Sequence, residues 1–227
     1  MNASQWLTII ANISLITAIA SAIAILFDIF IRGYRQKMPV MEWVWCITAL
    51  YFSIFGLWAY WSIGRSHSNK LQKRSGNNHQ RPYWQKVFVG TTHCGGGCTL
   101  GDIIAEWGVF FTGFTLYGSS LLTEYIFDFT LAFLLGIIFQ YYAIVPMRKL
   151  SFKEGLKAAV RADALSLIAF EVGLFGWMAL MRFVFNPPLE PTDPVYWFMM
   201  QVGMIIGFAT SYPMNWFLIS RGIKEAM

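Results

Sequence analysis

The chain has 227 residues, of which 56% are hydrophobic and only 13% charged, against roughly 25% charged in a soluble domain. Its net charge of +5 comes from Lys and Arg scattered between apolar runs rather than gathered on one basic surface, which argues against a nucleic-acid partner and for a positive-inside membrane protein. Six crossings of about 20 residues use up this length and leave no room for a second folded unit.

Apolar runs long enough to cross a bilayer cover residues 6–31, 41–63, 99–118, 121–145, 163–185 and 195–220. They predict an all-α transmembrane bundle of six helices in one membrane domain. The first run contains Ala20-Ser21-Ala22, which resembles a signal-peptide cleavage site, but no basic residue precedes it and the run continues to Ile31. An uncleaved helix is the better reading. Asp28 near its end has Arg32 one turn later as an ionic partner. In the second run Cys46 reads as a packed thiol. Residues 64–86 form a polar connection containing Ser75-Gly76-Asn77-Asn78, with His67 and His79 solvated, so a mobile cytoplasmic loop is expected.

The third and fourth runs are separated only by Gly118-Ser119-Ser120, which demands a very tight turn and keeps a five-span reading open. Residues 151–160 read as a short amphipathic segment along the inner leaflet, with Lys153 and Lys157 on one side. Thr192 and Asp193 before Pro194 supply a helix cap followed by proline at the first helical position. The last run carries Met199, Met200 and Met204 beside Gln201, thioethers that could meet Cu(I) but read first as packing. It also holds Gly203 and Gly207, a small-xxx-small pair suited to a helix contact.

With a cytoplasmic N-terminus, thirteen basic residues fall inside and four, Arg32, Arg35, Lys37 and Arg182, fall outside. Both termini are therefore expected in the cytoplasm. Lipid is the principal partner, and a homo-oligomer is compatible with such a chain.

The most unusual stretch is His93-Cys94-Gly95-Gly96-Gly97-Cys98-Thr99-Leu100-Gly101-Asp102. It is expected where the cytoplasmic loop enters the third helix, with the glycines as a hinge that folds Cys94 and Cys98 together. Two thiols and an imidazole suit Cu(I) or Zn(II), and Asp102 is the nearest candidate for the further ligand of a closed zinc site. The same stretch also reads as a glycine-rich turn with packed cysteines, or as a dithiol redox pair.

Cys98, Asp102 and Glu106 follow at i, i+4 and line one helix face. Glu106 lies about 12 Å beyond Cys98 along the helix, within the hydrocarbon. Asp163 and Glu171 repeat that eight-residue spacing in the fifth helix, which predicts that Glu171 and Glu106 meet. Gln140, Tyr212 and Asn215 are expected at the same level. Intramembrane acids mark a proton or ion path, or tie helices together.

The 93–102 stretch with Glu106-Trp107, Asp163-Ala164-Leu165-Ser166 with Phe170-Glu171, and Tyr196-Trp197-Phe198-Met199-Met200-Gln201 through Ser211-Tyr212-Pro213-Met214-Asn215-Trp216 together resemble a bacterial membrane family catalogued as domain of unknown function 4396. Residues 39–65 are also similar. The resemblance implies a membrane fold in the bacterial inner membrane and supplies no catalytic residue. Three functions stay open: handling of Cu(I) or Zn(II) through His93, Cys94, Cys98 and Asp102, which leads; thiol-disulfide exchange at Cys94 and Cys98; and proton-coupled transport of a non-metal substrate through Glu106 and Glu171. The balance leans away from an enzyme.

Overall fold

The computed structural model describes residues 3–75, 81–116, 118, 120–185 and 189–225. Its regular structure is helical. Four helices, Gln5–Ile31, Leu121–Val145, Phe152–Val184 and Pro194–Ser220, are long and apolar enough to cross a membrane. The chain is an all-α, membrane-embedded protein.

Helix α1 (Ala3–Leu26) continues through a π-helical turn, Phe27–Ile31, and presents Ile9, Ile13, Ile16 and Ile23 outward, as a lipid-facing helix should. The expected second crossing is absent as such. Instead α2 (Pro39–Phe52) ends at Ser53, which has φ 51° and ψ −129°, and α3 (Ile54–Ala59) with a π turn at Tyr60–Gly64 runs back along it. A methyl group on Gly56 would meet the Ala49 Cα at 2.8 Å, and one on Gly64 would meet the Trp45 ring at 2.6 Å. In a straight helix residues 49 and 56 stand about 10 Å apart along the axis, so the segment reverses. Gly56 is what permits this contact, because any side chain would separate the two arms. The Ser53 hydroxyl at the tip meets Thr17 Oγ at 2.7 Å, and Gln201 donates to the Leu50 carbonyl at 2.6 Å. The tip therefore sits deep against α1 and the last helix.

The reversal decides where the following residues lie. The 3-10 turn Arg65–His67 and α4 (Asn69–Ser75) pack on residues 32–36. The Asn69 amide donates to the Arg35 carbonyl at 2.9 Å, Lys70 to the Arg32 carbonyl at 2.7 Å, and Arg65 joins Arg32 on Asp28. The expected mobile loop is thus helical and anchored up to Ser75, and His67 is half-buried against the Ile63 carbonyl. Gly76, Asn77, Asn78 and His79 lie outside the described residues.

Helix α5 (Tyr83–Thr112) is a single 30-residue helix, not a hinge followed by a helix. Every residue from Val89 to Thr99 is buried, the mark of a helix enclosed on all sides. It is the axis of the bundle. The glycines explain how, since Gly97 faces Gly136 of α6 (Ser120–Arg148) so closely that a methyl there would lie 2.7 Å from the Gly136 Cα. Gly101 meets the Ala132 backbone, Gly95 makes room for Tyr51 and Phe170, and Gly96 for Val44. Small residues on several faces let four neighbours approach one helix, and close packing is what holds helices together in lipid.

Helix α7 (Phe152–Val184) opens on a capping box between Ser151 and Glu154 and runs unbroken, so residues 151–160 begin this helix rather than lie along the membrane. Helix α8 (Pro194–Ser220) starts as the sequence predicts, with the Asp193 carboxylate accepting from the Val195 amide and Pro194 in the first turn. Gly203 and Gly207 pack on Leu174, Trp177 and Phe170 of α7. The start of α1 packs beside the start of α8, through Ala11, Val195 and Met199. One end of the bundle then holds the segments around 32–38, 65–75, 81–86, 148–161 and 221–225, and with them sixteen of the seventeen Lys and Arg residues. Arg182 alone belongs to the opposite end. The thirteen-to-four split expected from six crossings becomes sixteen to one.

Candidate functional site

Helix α5 positions a column of polar groups because Cys94, Cys98, Asp102 and Glu106 recur every four residues and advance slowly around it. Cys98 is about 22 Å from the start of the helix, so the rung of thiols lies near mid-helix and not at the cytoplasmic face. Both thiols are fully buried. Tyr51, from the re-entrant hairpin, reaches this rung past Gly95, and Glu171 of α7 sits beside Cys98.

Above the thiols the acids converge. Asp102 faces Glu171, Asp128 and Glu106, while Glu106 faces Tyr196, Glu124 and Asp128. Asp102 is 0% exposed and neither of its carboxylate oxygens has a hydrogen-bond partner. Glu171, Asp128 and Glu106 are buried with it. Among the described residues no salt bridge reaches these four acids. An ionised acid in mid-membrane costs about 3 kcal/mol on insertion scales. Four of them would approach the whole stability of a domain, about 5–15 kcal/mol, so the group needs protons or another cation to exist. The column opens at the end opposite the basic one, in a cleft lined by Glu106, Glu124, Tyr125, Arg182 and Tyr196. Its 40 Å³ of room admits about three waters, each needing about 10–15 Å³.

Toward the basic end a second group gathers around Asp163, which is fully buried. Its Oδ1 accepts from Lys224 Nζ at 2.6 Å and from Ser166 Oγ at 2.8 Å. His93 faces both Asp163 and Lys224. Gln140 is buried on α6, four residues past the Gly136 contact, level with His93. Asn215 donates to the carbonyl and hydroxyl of Ser211 and leaves its Oδ1 without a partner.

Several placements differ from the sequence expectations. His93, Cys94, Cys98 and Asp102 belong to one straight helix, where nine residues turn His93 and Asp102 about 180° apart. Among the described residues no group of three or more His, Cys, Asp or Glu side chains is placed to hold a metal ion. Cys94 and Cys98 adjoin one another and are both fully buried. Glu106 and Glu171 both border Asp102 and Asp128. Tyr212 is peripheral, its hydroxyl on the Trp84 carbonyl at 3.3 Å. Met199, Met200 and Met204 are buried packing residues, Cys46 donates to the Glu42 carbonyl, and Asp28 pairs with Arg32 but also with Arg65 and Tyr60.

The sequence reading passed over Asp128, Glu124, Tyr51, Tyr196 and Lys224. A signal for the first two exists: Glu124, Asp128, Ala132, Gly136 and Gln140 form an i, i+4 stripe that mirrors the one on α5. Lys224 gives none, since it reads as one more basic residue after a span.

Fold and site together define a membrane helix bundle built around a buried carboxylate column. Residues 83–224 match the family described as Domain of unknown function (DUF4396), and the chain belongs to that family. The matched region runs from α5 to Lys224 and carries every column residue except Tyr51. Comparison with curated proteins and with solved structures finds no match.

Proposed function

We propose that this protein is a cation-coupled membrane carrier of the bacterial inner membrane, in which protons or another hard monovalent cation pass along the acids that line α5. The observation that carries this is Asp102, completely buried with no hydrogen-bond partner, among three further buried acids and no paired base. A purely structural acid would be tied to Asn, Gln or Tyr; an acid kept without a partner inside a bilayer is the arrangement of a proton or ion relay. The oxygen-rich set favours a hard cation over a soft metal.

In this reading α1, α5, α6, α7 and α8 cross the membrane, and α2–α3 is a re-entrant hairpin whose irregular tip is enclosed by protein, as non-helical backbone at membrane depth must be. The sixteen-to-one distribution of Lys and Arg supports a cytoplasmic basic end. The start of α1 then lies outside and the end of α8 inside, which reverses the first half of the sequence-based orientation. The cleft at Glu106 and Glu124 faces the exterior.

Reconstitution into proteoliposomes with an internal pH dye tests the proposal. An imposed proton gradient should collapse faster with wild type than with empty vesicles, and Asp102→Asn or Glu171→Gln should slow this at least about tenfold. The double change Cys94→Ser, Cys98→Ser should keep it. Equal rates for wild type and the acid variants would refute the function.

A further inference from the structure

We propose that the pocket around Asp163 is the inner cation-binding site of the column, and that the Lys224 ammonium is its tethered occupant. This rests on the carrier reading above and extends it to a site that the outer acids do not define. After α8 the chain turns at Gly222, with φ +66°, and the amides of Ile223 and Lys224 both bond back to the Leu218 carbonyl at 2.9 and 3.2 Å. This fold-back drives Lys224 into the bundle, where its side chain is 0% exposed. The ammonium has three donors, and three acceptors meet it: Asp163 Oδ1 at 2.6 Å, Ser166 Oγ at 3.3 Å and the Gly90 carbonyl at 3.4 Å.

The pocket offers more than the lysine uses. Asp163 Oδ2 and Asn215 Oδ1 are buried without partners, and Asn215 Oδ1 borders Gly90 beside the Lys224 side chain. A carboxylate, a hydroxyl, an amide oxygen and a main-chain carbonyl are hard oxygen donors with a single negative charge between them. They suit a small monovalent cation, sodium or hydronium, rather than a divalent or soft one. His93 sits between this pocket and the Cys98–Glu171 rung, so the site lies on the way from the outer acids to the basic end. The Lys224 chain and Asn215 both lie against Gly90.

A lysine on a short tail acts at an effective concentration in the millimolar range, and a free cation must compete with it. Lys224→Gln should therefore bind sodium at concentrations about tenfold lower than wild type, read as sodium-dependent thermal stabilisation of purified protein in detergent with choline as the control. Its proteoliposome flux should exceed wild type. Inserting Gly-Ser-Gly-Ser between Gly222 and Ile223 keeps the lysine but dilutes it, and should shift both readouts the same way, so the test survives if Lys224→Gln fails to fold. Running the flux with a proton gradient alone and with a sodium gradient alone separates the two cations.

A lysine that merely anchors the tail predicts lower stability in both variants, no rescue by sodium and no rise in flux; that result overturns the proposal. If wild type shows flux sensitive to Asp102→Asn but neither variant changes it, the tethered-cation site is wrong and the carrier reading stands. If no form of the protein moves protons or sodium, both fall together.

Discussion

Two groups of buried acid lie along the same helix and are neutralised in opposite ways. The inner acid, Asp163, has a built-in cation in Lys224, a second hydrogen bond from Ser166 and a place in the packing. The outer four, Asp102, Glu106, Asp128 and Glu171, have none of the salt bridges found among the described residues, and the Asp102 carboxylate has no hydrogen-bond partner. The inner group has the form of a closed structural pair, whereas in the proposed carrier the outer group takes its neutralising charge from the aqueous phase. A buried pair is costly to break, while a lone buried acid is costly to keep. Mutations at the two places should therefore move stability in opposite directions.

The largest effect is expected at the inner pair. Lys224→Ala leaves Asp163 charged and alone, and should cost about 3–5 kcal/mol in sodium-free buffer, measured by thermal unfolding in detergent. The double change Lys224→Met, Asp163→Leu should recover most of that loss. Next is the packing on which both groups depend: Gly97→Leu forces α5 and α6 apart at the Gly136 contact and should cost about 1–3 kcal/mol or prevent folding, seen in the yield of monodisperse protein. Asp102→Asn should go the other way, leaving stability unchanged or raised by up to about 1 kcal/mol while abolishing flux. If Asp102→Asn instead destabilised as much as Lys224→Ala, the distinction between the two groups would be lost. Ser53→Gly, which relieves a positive φ at the hairpin tip but gives up the hydroxyl contact with Thr17, should change stability by no more than about 1 kcal/mol in either direction. The smallest change is Cys98→Ser, within about 1 kcal/mol, with no dependence on added copper or zinc.

Hydropathy made the lipid-facing parts of this fold legible. The sequence reading found α1, α6 and α8 close to their observed limits, along with the Asp193-Pro194 start of α8 and the Gly203–Gly207 contact. It failed where one signal serves two geometries. An apolar run of the right length reads alike whether it crosses or reverses, and Ser53 carries no mark of the reversal; only Gly56 and Gly64, small where the two arms touch, hint at it. Three consecutive glycines likewise read as a hinge, although in lipid the same residues let helices approach closely.

The site was legible along α5, since Cys94, Cys98, Asp102 and Glu106 keep their spacing in any helix. Which partners faced them was not. Asp128 comes from another helix through a register that only the Gly97–Gly136 contact fixes, and Lys224 arrives through a fold-back outside any apolar run. His93 and Asp102 show the same limit. Proximity in sequence brought His93 and Asp102 together on paper, and the helix turned them apart.

The central claim is that the outer acids exchange charge with water instead of holding the bundle together. Infrared difference spectroscopy of the protein in lipid nanodiscs, stepping the pH of the surrounding buffer, reads the carboxyl groups directly. A reversible change in the protonated-carboxyl stretch is expected, lost in Asp102→Asn or Glu171→Gln and retained in Cys94→Ser, Cys98→Ser. A spectrum insensitive to pH, or one unchanged by both acid variants, would contradict it.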